Sequence, residues 1–192
     1  MQPLTHADLL DNAAYAEVRD AFRKEMIRLK RPRRITIGPH VAVTLENRET
    51  MRFQIQEMMR IEGMESEAEV QRELDVYNPL IPGPGELSFT LFIEVPEEQE
   101  LKRVLPTLVG IEHALRLAIG DQVAAARGEE GRSREDYTSS VHYLRMALTV
   151  AQIKYLADPQ VPASLFFDHP AYVHREWLST ATREAMLEDL RA

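Results

Sequence analysis

Cysteine is absent from the 192 residues. That removes a disulfide scaffold, a thiol nucleophile, a structural Cys–zinc site and any Cys-ligated iron–sulfur cluster held by this chain. Long apolar runs are missing as well. None approaches the roughly 18 residues needed to cross a bilayer, so no membrane span is expected. The opening Met1-Gln2-Pro3-Leu4-Thr5-His6-Ala7-Asp8 lacks a basic stretch followed by an apolar one. No secretory signal is visible there, and a cytoplasmic location is the expectation.

The signatures of phosphate and catalytic loops are also missing. There is no Gly-x-Gly-x-x-Gly, no Walker-type loop, no Gly-x-Ser-x-Gly elbow and no His-Glu-x-x-His. Gly83-Pro84-Gly85 cannot cradle a phosphate, because Pro84 has no backbone N–H to offer. No Glu-x-x-His pair exists to build a ferritin-like di-iron site. Positive charge is in deficit, with 23 basic residues against 31 acidic and a net charge of −8. A field of that sign repels phosphate backbones and argues against nucleic acid as a partner.

What is present is the material of an ordinary globular domain. The apolar fraction is 44% and the charged fraction 28%, neither of which suits a disordered chain. A chain of this length removes roughly 70% of its unfolded surface on folding, enough for a core without staples. Thr5 or Asp11 can cap an opening helix, whose apolar stripe is Tyr15, Val18, Phe22, Met26 and Leu29, ended by Pro32. Arg34-Ile35-Thr36-Ile37, a Gly38-Pro39 turn and alternating residues 41–46 read as a β-hairpin with one buried face. Asn47 is placed to cap a helix carrying Met51, Ile55, Met58 and Met59, and Gly63 to stop it. A second helical segment spans about residues 67–76, before a proline-rich loop over residues 77–85.

Residues 87–95 form the clearest strand, with Leu87, Phe89, Leu91, Ile93 and Val95 on one face. A helix is expected from Pro96 to about residue 108, then a hairpin around Gly120-Asp121 of the type II′ kind, returning over residues 123–126. Residues 128–136 read as a solvated loop, 138–148 as a long strand, and Thr149 as the cap of a short helix. A buried strand over 163–167, an extended piece around Trp177 and a helix from Ser179 to about Leu190 complete the chain. Strands and helices mix without regular βαβ alternation. The expectation is one α+β domain over residues 1–192, with a mainly antiparallel sheet covered on one face by helices.

Three groups of residues carry candidate chemistry. By strand parity His142 shares a face with Leu144, Met146 and Leu148. It reads either as a core histidine satisfied by one hydrogen bond or as a metal ligand or acid–base group. Asp168-His169-Pro170 reads either as a local turn or as a carboxylate orienting an imidazole. Glu46, Gln56 and Glu57 gather polar groups at one strand-to-helix junction, as a solvated face or as the wall of a pocket. Together they define a candidate pocket of His142, His169, Asp168, Glu46, Glu57 and Gln56. His142 and His169 would be its metal ligands, since imidazole suits zinc, iron or nickel. The run Arg28, Lys30, Arg31, Arg33 and Arg34 either complements a helix dipole or forms a docking patch for an acidic partner.

Several of these segments resemble one family. Ile37-Gly38-Pro39-His40, Glu46-Asn47-Arg48-Glu49-Thr50 through Gln54-Ile55-Gln56-Glu57-Met58, Tyr77-Asn78-Pro79-Leu80-Ile81-Pro82, Ser139-Ser140-Val141-His142-Tyr143-Leu144-Arg145 and Asp168-His169-Pro170-Ala171-Tyr172 are together similar to an uncharacterised bacterial family, domain-of-unknown-function family three-five-zero-one. The resemblance brings no catalytic residue and no cofactor. Genes of that family tend to lie near those of rubrerythrin-like and iron–sulfur oxidoreductase proteins. It therefore implies an accessory protein of a redox or oxidative-stress system, with such an oxidoreductase as partner. The alternative is a metal-binding protein or metal-dependent enzyme built on the His/Asp/Glu pocket.

Overall fold

The computed structural model describes residues 1–129 and 137–192, and its layers follow from which strand faces carry apolar side chains. Thr5 caps a 3-10 turn, His6–Asp8, and the Asp11 carboxylate accepts from the Ala14 N–H to start α1 (Asn12–Lys30). Of the expected stripe, Tyr15 and Met26 are buried while Val18 is exposed. Arg19 sits beside it instead, tied to Glu57 by two hydrogen bonds of 2.8 and 2.9 Å.

The hairpin of β1 (Arg34–Ile37) and β2 (Val41–Glu46) turns through Gly38, Pro39 and His40. Gly38 has φ +76°, and a Cβ there would lie 2.5 Å from the His174 ring, so only glycine fits. The Tyr172 hydroxyl donates to Ile37 O and accepts from the His40 and Val41 N–H groups, tying this hairpin to the far end of the chain. Asn47 and Thr50 form the capping box of α2 (Arg48–Glu62), and Gly63, at φ +64°, ends it. α3 (Glu67–Tyr77), capped by Ser66, leads through the proline-rich loop into β3 (Glu86–Ile93).

The helix expected from Pro96 to residue 108 is shorter: α4 (Glu98–Val104) gives way to a 3-10 turn, Leu105–Leu108. Pro106 has no N–H to continue the α-helical ladder and its ring crowds the preceding turn. β4 (Leu115–Ile119) and β5 (Gln122–Ala125) are joined by Gly120-Asp121. Among the described residues only glycines have positive φ, Gly120 at +59°, which matches the expected type II′ turn. The supposed loop at residue 128 begins instead with a short strand, β6 (Arg127–Gly128); residues 130–136 of that loop lie outside the described residues. There follow β7 (Val141–Ala147), α5 (Val150–Ala157), β8 (Ala163–Phe167), β9 (Arg175–Trp177) and α6 (Thr180–Arg191).

The described strands pair antiparallel throughout, in two sheets ordered β1-β2-β3-β7-β6 and β5-β4-β8-β9. The fold is α+β, and the two strands expected to be central, β3 and β7, lie side by side in the larger sheet. Leu87, Phe89, Leu91 and Ile93 of β3 share one core with Leu115, Leu117, Ile119, Leu165 and Phe167 of the second sheet, and with Met186 and Leu190 of α6. A second core of Leu4, Met51, Ile55, Met59, Val70 and Leu74 belongs to the helices. The expectation of one buried face on the hairpin is corrected here, because all six residues of β2 are buried. Core side chains pack one face of the larger sheet and the helical layer shelters the other.

One polar contact joins these layers. Arg33 is 1% exposed and grips Asp189 of α6 with two hydrogen bonds, 2.5 and 3.0 Å. Asn47 donates to the same carboxylate at 3.2 Å. Burial lifts the Asp189 carboxyl above its ordinary pKa, while Arg33 and Asn47 pull it down. Removing either charge leaves the other with weaker partners only, Glu188 at 3.6 Å for Arg33 and Asn47 for Asp189. Arg33→Met and Asp189→Leu are each expected to lower the unfolding free energy by about 3–5 kcal/mol, and the double variant by much less. Guanidinium denaturation of the three variants checks this; equal losses for single and double variants would contradict it.

Candidate functional site

On the outer face of the larger sheet, polar side chains are sheltered beneath the helices. Strand register lays them in rows. Arg34, Thr44, Thr90 and Tyr143 stand opposite one another across β1, β2, β3 and β7, and Glu46, Ser88 and Arg145 form the next row. Above them stand Met51 and Gln54 of α2, with Tyr77 and Leu80 from the start of the proline-rich loop. Between sheet and helices lies a cleft of about 230 Å³, whose rim also carries Lys30 and whose floor includes Phe92 and Val141.

Glu46 is the chemical centre of this cleft. It is the last residue of β2, and the period of two puts it on the same face as Ala42 and Thr44. Its side chain is buried with 4% exposure. Oε1 accepts a hydrogen bond of 2.7 Å from the Thr90 hydroxyl, and among the described residues Oε2 has no hydrogen-bond partner. Gln54 hydrogen-bonds the Tyr77 hydroxyl; burial raises the Tyr77 pKa and this bond acts against it. The loop over the cleft is held from below: the Arg145 guanidinium donates to Pro79 O, to Ile81 O at 3.1 Å, and to Glu86. A second hollow, about 560 Å³, adjoins the first, sharing Leu80 and Tyr143 and adding Ser88, Arg127 and Arg145.

Of the candidate pocket residues, only Glu46 lines this cleft. Gln56 points from α2 toward the N-terminal segment, accepting from Leu10 N–H and donating to Leu10 O. Glu57 accepts from Arg19 and from the Tyr15 hydroxyl at 2.7 Å, fastening α1 to α2. His142 faces the core opposite Leu91, as parity required. Its Nε2 lies 2.8 Å from Ser139 O and 2.9 Å from the Thr138 hydroxyl; a carbonyl can only accept, so Nε2 carries the proton. His169 donates through Nε2 to Val109 O at 3.0 Å and accepts through Nδ1 from the Ala171 N–H, which occupies both ring nitrogens. Asp168 is exposed. Among the described residues no group of three or more His, Asp or Glu side chains is arranged to hold a metal ion.

The basic run is divided in the same way. Arg33 is a core residue and cannot belong to a docking patch, which corrects that part of the expectation. Arg28 pairs with Glu25, Arg34 with Glu94, and Lys30 lies 5.7 Å from the Phe53 ring centroid; Arg31 is exposed. The residues that sequence reasoning missed are Thr44, Thr90, Tyr77 and Tyr143. The alternation of residues 87–95 sets Thr90 on the face opposite the core stripe, and that face lies under helices. Three of the segments that carry the family resemblance, those containing Glu46, Tyr77 and Tyr143, meet at this cleft.

Comparison with known proteins bears on the same assignment. The family described as "Protein of unknown function (DUF3501)" matches residues 3–190. A crystal structure described as a novel protein of unknown function from Burkholderia pseudomallei is 35% identical in sequence, with a TM-score of 0.91 and an alignment covering 98% of this chain and 100% of that one. No curated protein matches the chain.

The geometry at Glu57 generates a pH dependence. Arg19 holds its carboxyl down to about 2, helped by the Tyr15 hydroxyl and opposed by burial. A carboxylate depressed in the folded state stabilises above its unfolded pKa, near about 4.3, and that contribution is lost as pH falls toward 2. Glu57→Gln is expected to lower stability at pH 7 by about 2–3 kcal/mol and to flatten the loss between pH 5 and 2. Part of the acid-side loss remains, because Asp8 is also held at about 2, chiefly by Arg48. Urea unfolding across that pH range measures both effects.

Proposed function

We propose that this chain, which belongs to the DUF3501 family, binds a small organic ligand in the sheet-face cleft, with Glu46 as the recognising group. The observation that carries this is the Oε2 atom of Glu46, a buried carboxylate oxygen without a hydrogen-bond partner on the lining of a cleft. Leaving such an atom unsatisfied costs about 1–3 kcal/mol. A cost of that kind is retained at functional positions, where a ligand's N–H or O–H supplies the missing bond. Thr90 fixes the carboxylate through its other oxygen, so the acceptor is oriented before a ligand arrives. The apolar and aromatic walls of Met51, Tyr77, Leu80 and Phe92 exclude water around that contact.

A role beside a rubrerythrin-like or iron–sulfur oxidoreductase comes from the family resemblance. A cysteine-free ligand-binding protein suits such a system as an accessory, since it has no thiolate to hold the usual cluster.

The ligand reading separates cleanly from a structural role for Glu46. If Oε2 waits for a ligand, Glu46→Gln keeps the Thr90 bond and leaves the melting temperature unchanged or slightly higher. The same variant is expected to weaken binding of small amine fragments by about tenfold or more, through loss of one charge-assisted hydrogen bond. Fragment titrations followed by amide chemical shifts should perturb Thr44, Thr90 and Tyr143 in the parent protein and not in the variant. A marked drop in melting temperature, with fragment binding unaltered, would assign Glu46 to stability instead.

A further inference from the structure

Charges of both signs line the cleft, and among the described residues Glu46 pairs with neither cation. Glu46 closes one end of β2, and Lys30 and Arg34 stand on the side toward α1 and β1. Opposite charges lining one cleft of about 230 Å³ would ordinarily pair, but these do not. Arg34 turns outward to Glu94, with bonds of 2.5 and 2.6 Å, and lies against the Phe92 ring. Lys30 has no carboxylate partner among the described residues; its ammonium rests over Phe53. Glu46 spends one oxygen on Thr90 and none on a cation.

We infer that the ligand is a small zwitterion, its ammonium or other cationic N–H group on Glu46 Oε2 and its anionic group toward Lys30, with an apolar body between. This rests on the reading of the cleft as a ligand site and adds the class of ligand. Each simpler class meets an opposing charge. A plain anion would face the Glu46 carboxylate, and a plain amine would place its charge beside the uncompensated Lys30 ammonium. A neutral apolar molecule leaves Oε2 unsatisfied and gains nothing from Lys30. A zwitterion satisfies both ends at once. The ring faces of Tyr77 and Phe92 and the side chains of Leu80 and Met51 supply apolar surface along its middle. The volume lies below the range of about 300–1,000 Å³ that holds drug-sized ligands and suits a molecule the size of a single amino acid. Burial strengthens the contact at Glu46 by lowering the local dielectric.

Three probes of one skeleton test the inference: phenylalanine, 2-phenylethylamine and 3-phenylpropionate, which carry both charges, the cation alone and the anion alone. Each is titrated into the isotope-labelled full chain, with cleft amides as reporters. Phenylalanine is expected to bind about tenfold or more tighter than either single-charge analogue. Lys30→Met should bring phenylalanine down to the affinity of the amine, leaving the amine unweakened, and Glu46→Gln should weaken both. If the amine equals phenylalanine and Lys30→Met changes neither, the zwitterion inference falls while the cleft stands as a ligand site. If 3-phenylpropionate binds best, or if none of the three shifts cleft residues at millimolar concentration, the zwitterion inference also falls, and the fragment titrations and melting temperature of the Glu46 variant decide the ligand reading separately.

Discussion

The contact on which this structure depends most is the buried ion pair between Arg33 and Asp189, shared with Asn47. A charge in the interior survives only when it is matched, so these three side chains fix one another's positions. Arg33 stands at the turn from α1 into β1, and its carbonyl accepts from the Leu45 N–H, continuing the hairpin by one more bond. Asn47 begins α2 through its capping box with Thr50. Asp189 belongs to the last turns of α6, whose Met186 and Leu190 enter the core between the sheets. One carboxylate therefore sets where the first helix ends, where the second begins and how the last one docks.

The cleft inherits its shape from that arrangement. Glu46 is the neighbour of Asn47, so locking the start of α2 also fixes the distance between Glu46 on the sheet and Met51 and Gln54 on the helix. Arg145 performs the same service at the other side, holding the loop that carries Leu80 onto the sheet. The polar face of β3 is thus neither a solvent-facing surface nor a packed core. It is a sheltered layer in which Thr44, Thr90 and Glu46 stay together because strand register aligns them, and in which the helices above leave space.

Much of the fold was legible in the sequence because the governing signals are local. The period-two pattern of residues 87–95 marked β3, the Gly120-Asp121 pair marked a two-residue hairpin, and Asp11, Asn47 and Thr149 act as caps where side-chain chemistry placed them. Parity also placed His142 inward. The failures share a physical reason. Parity shows which residues share a face and is silent on what covers that face, so β2 was assigned one buried side when it has two. Glu46 was legible as a candidate, but its companions Gln56 and Glu57 lie on other faces of α2, committed to Leu10 and to Arg19 and Tyr15. Arg33 shared a basic run with its neighbours, and no local pattern reveals that its counter-ion is Asp189. In α4 the signal was present and underweighted: Pro106 was visible and ended the helix.

The separation of Arg33 and Asp189 by 156 positions has a kinetic meaning. Closing so long a loop costs entropy, and folds rich in such distant contacts fold more slowly. Until α6 docks, the guanidinium of Arg33 must remain hydrated, which opposes closure of the apolar surfaces around it. The hairpin and the first two helices supply only part of the cleft wall, which Thr90 and Phe92 of β3 and Val141 and Tyr143 of β7 complete. A chain lacking α6 would leave Arg33 without the Asp189 carboxylate and the core without Met186 and Leu190, and is expected to populate unfolded forms.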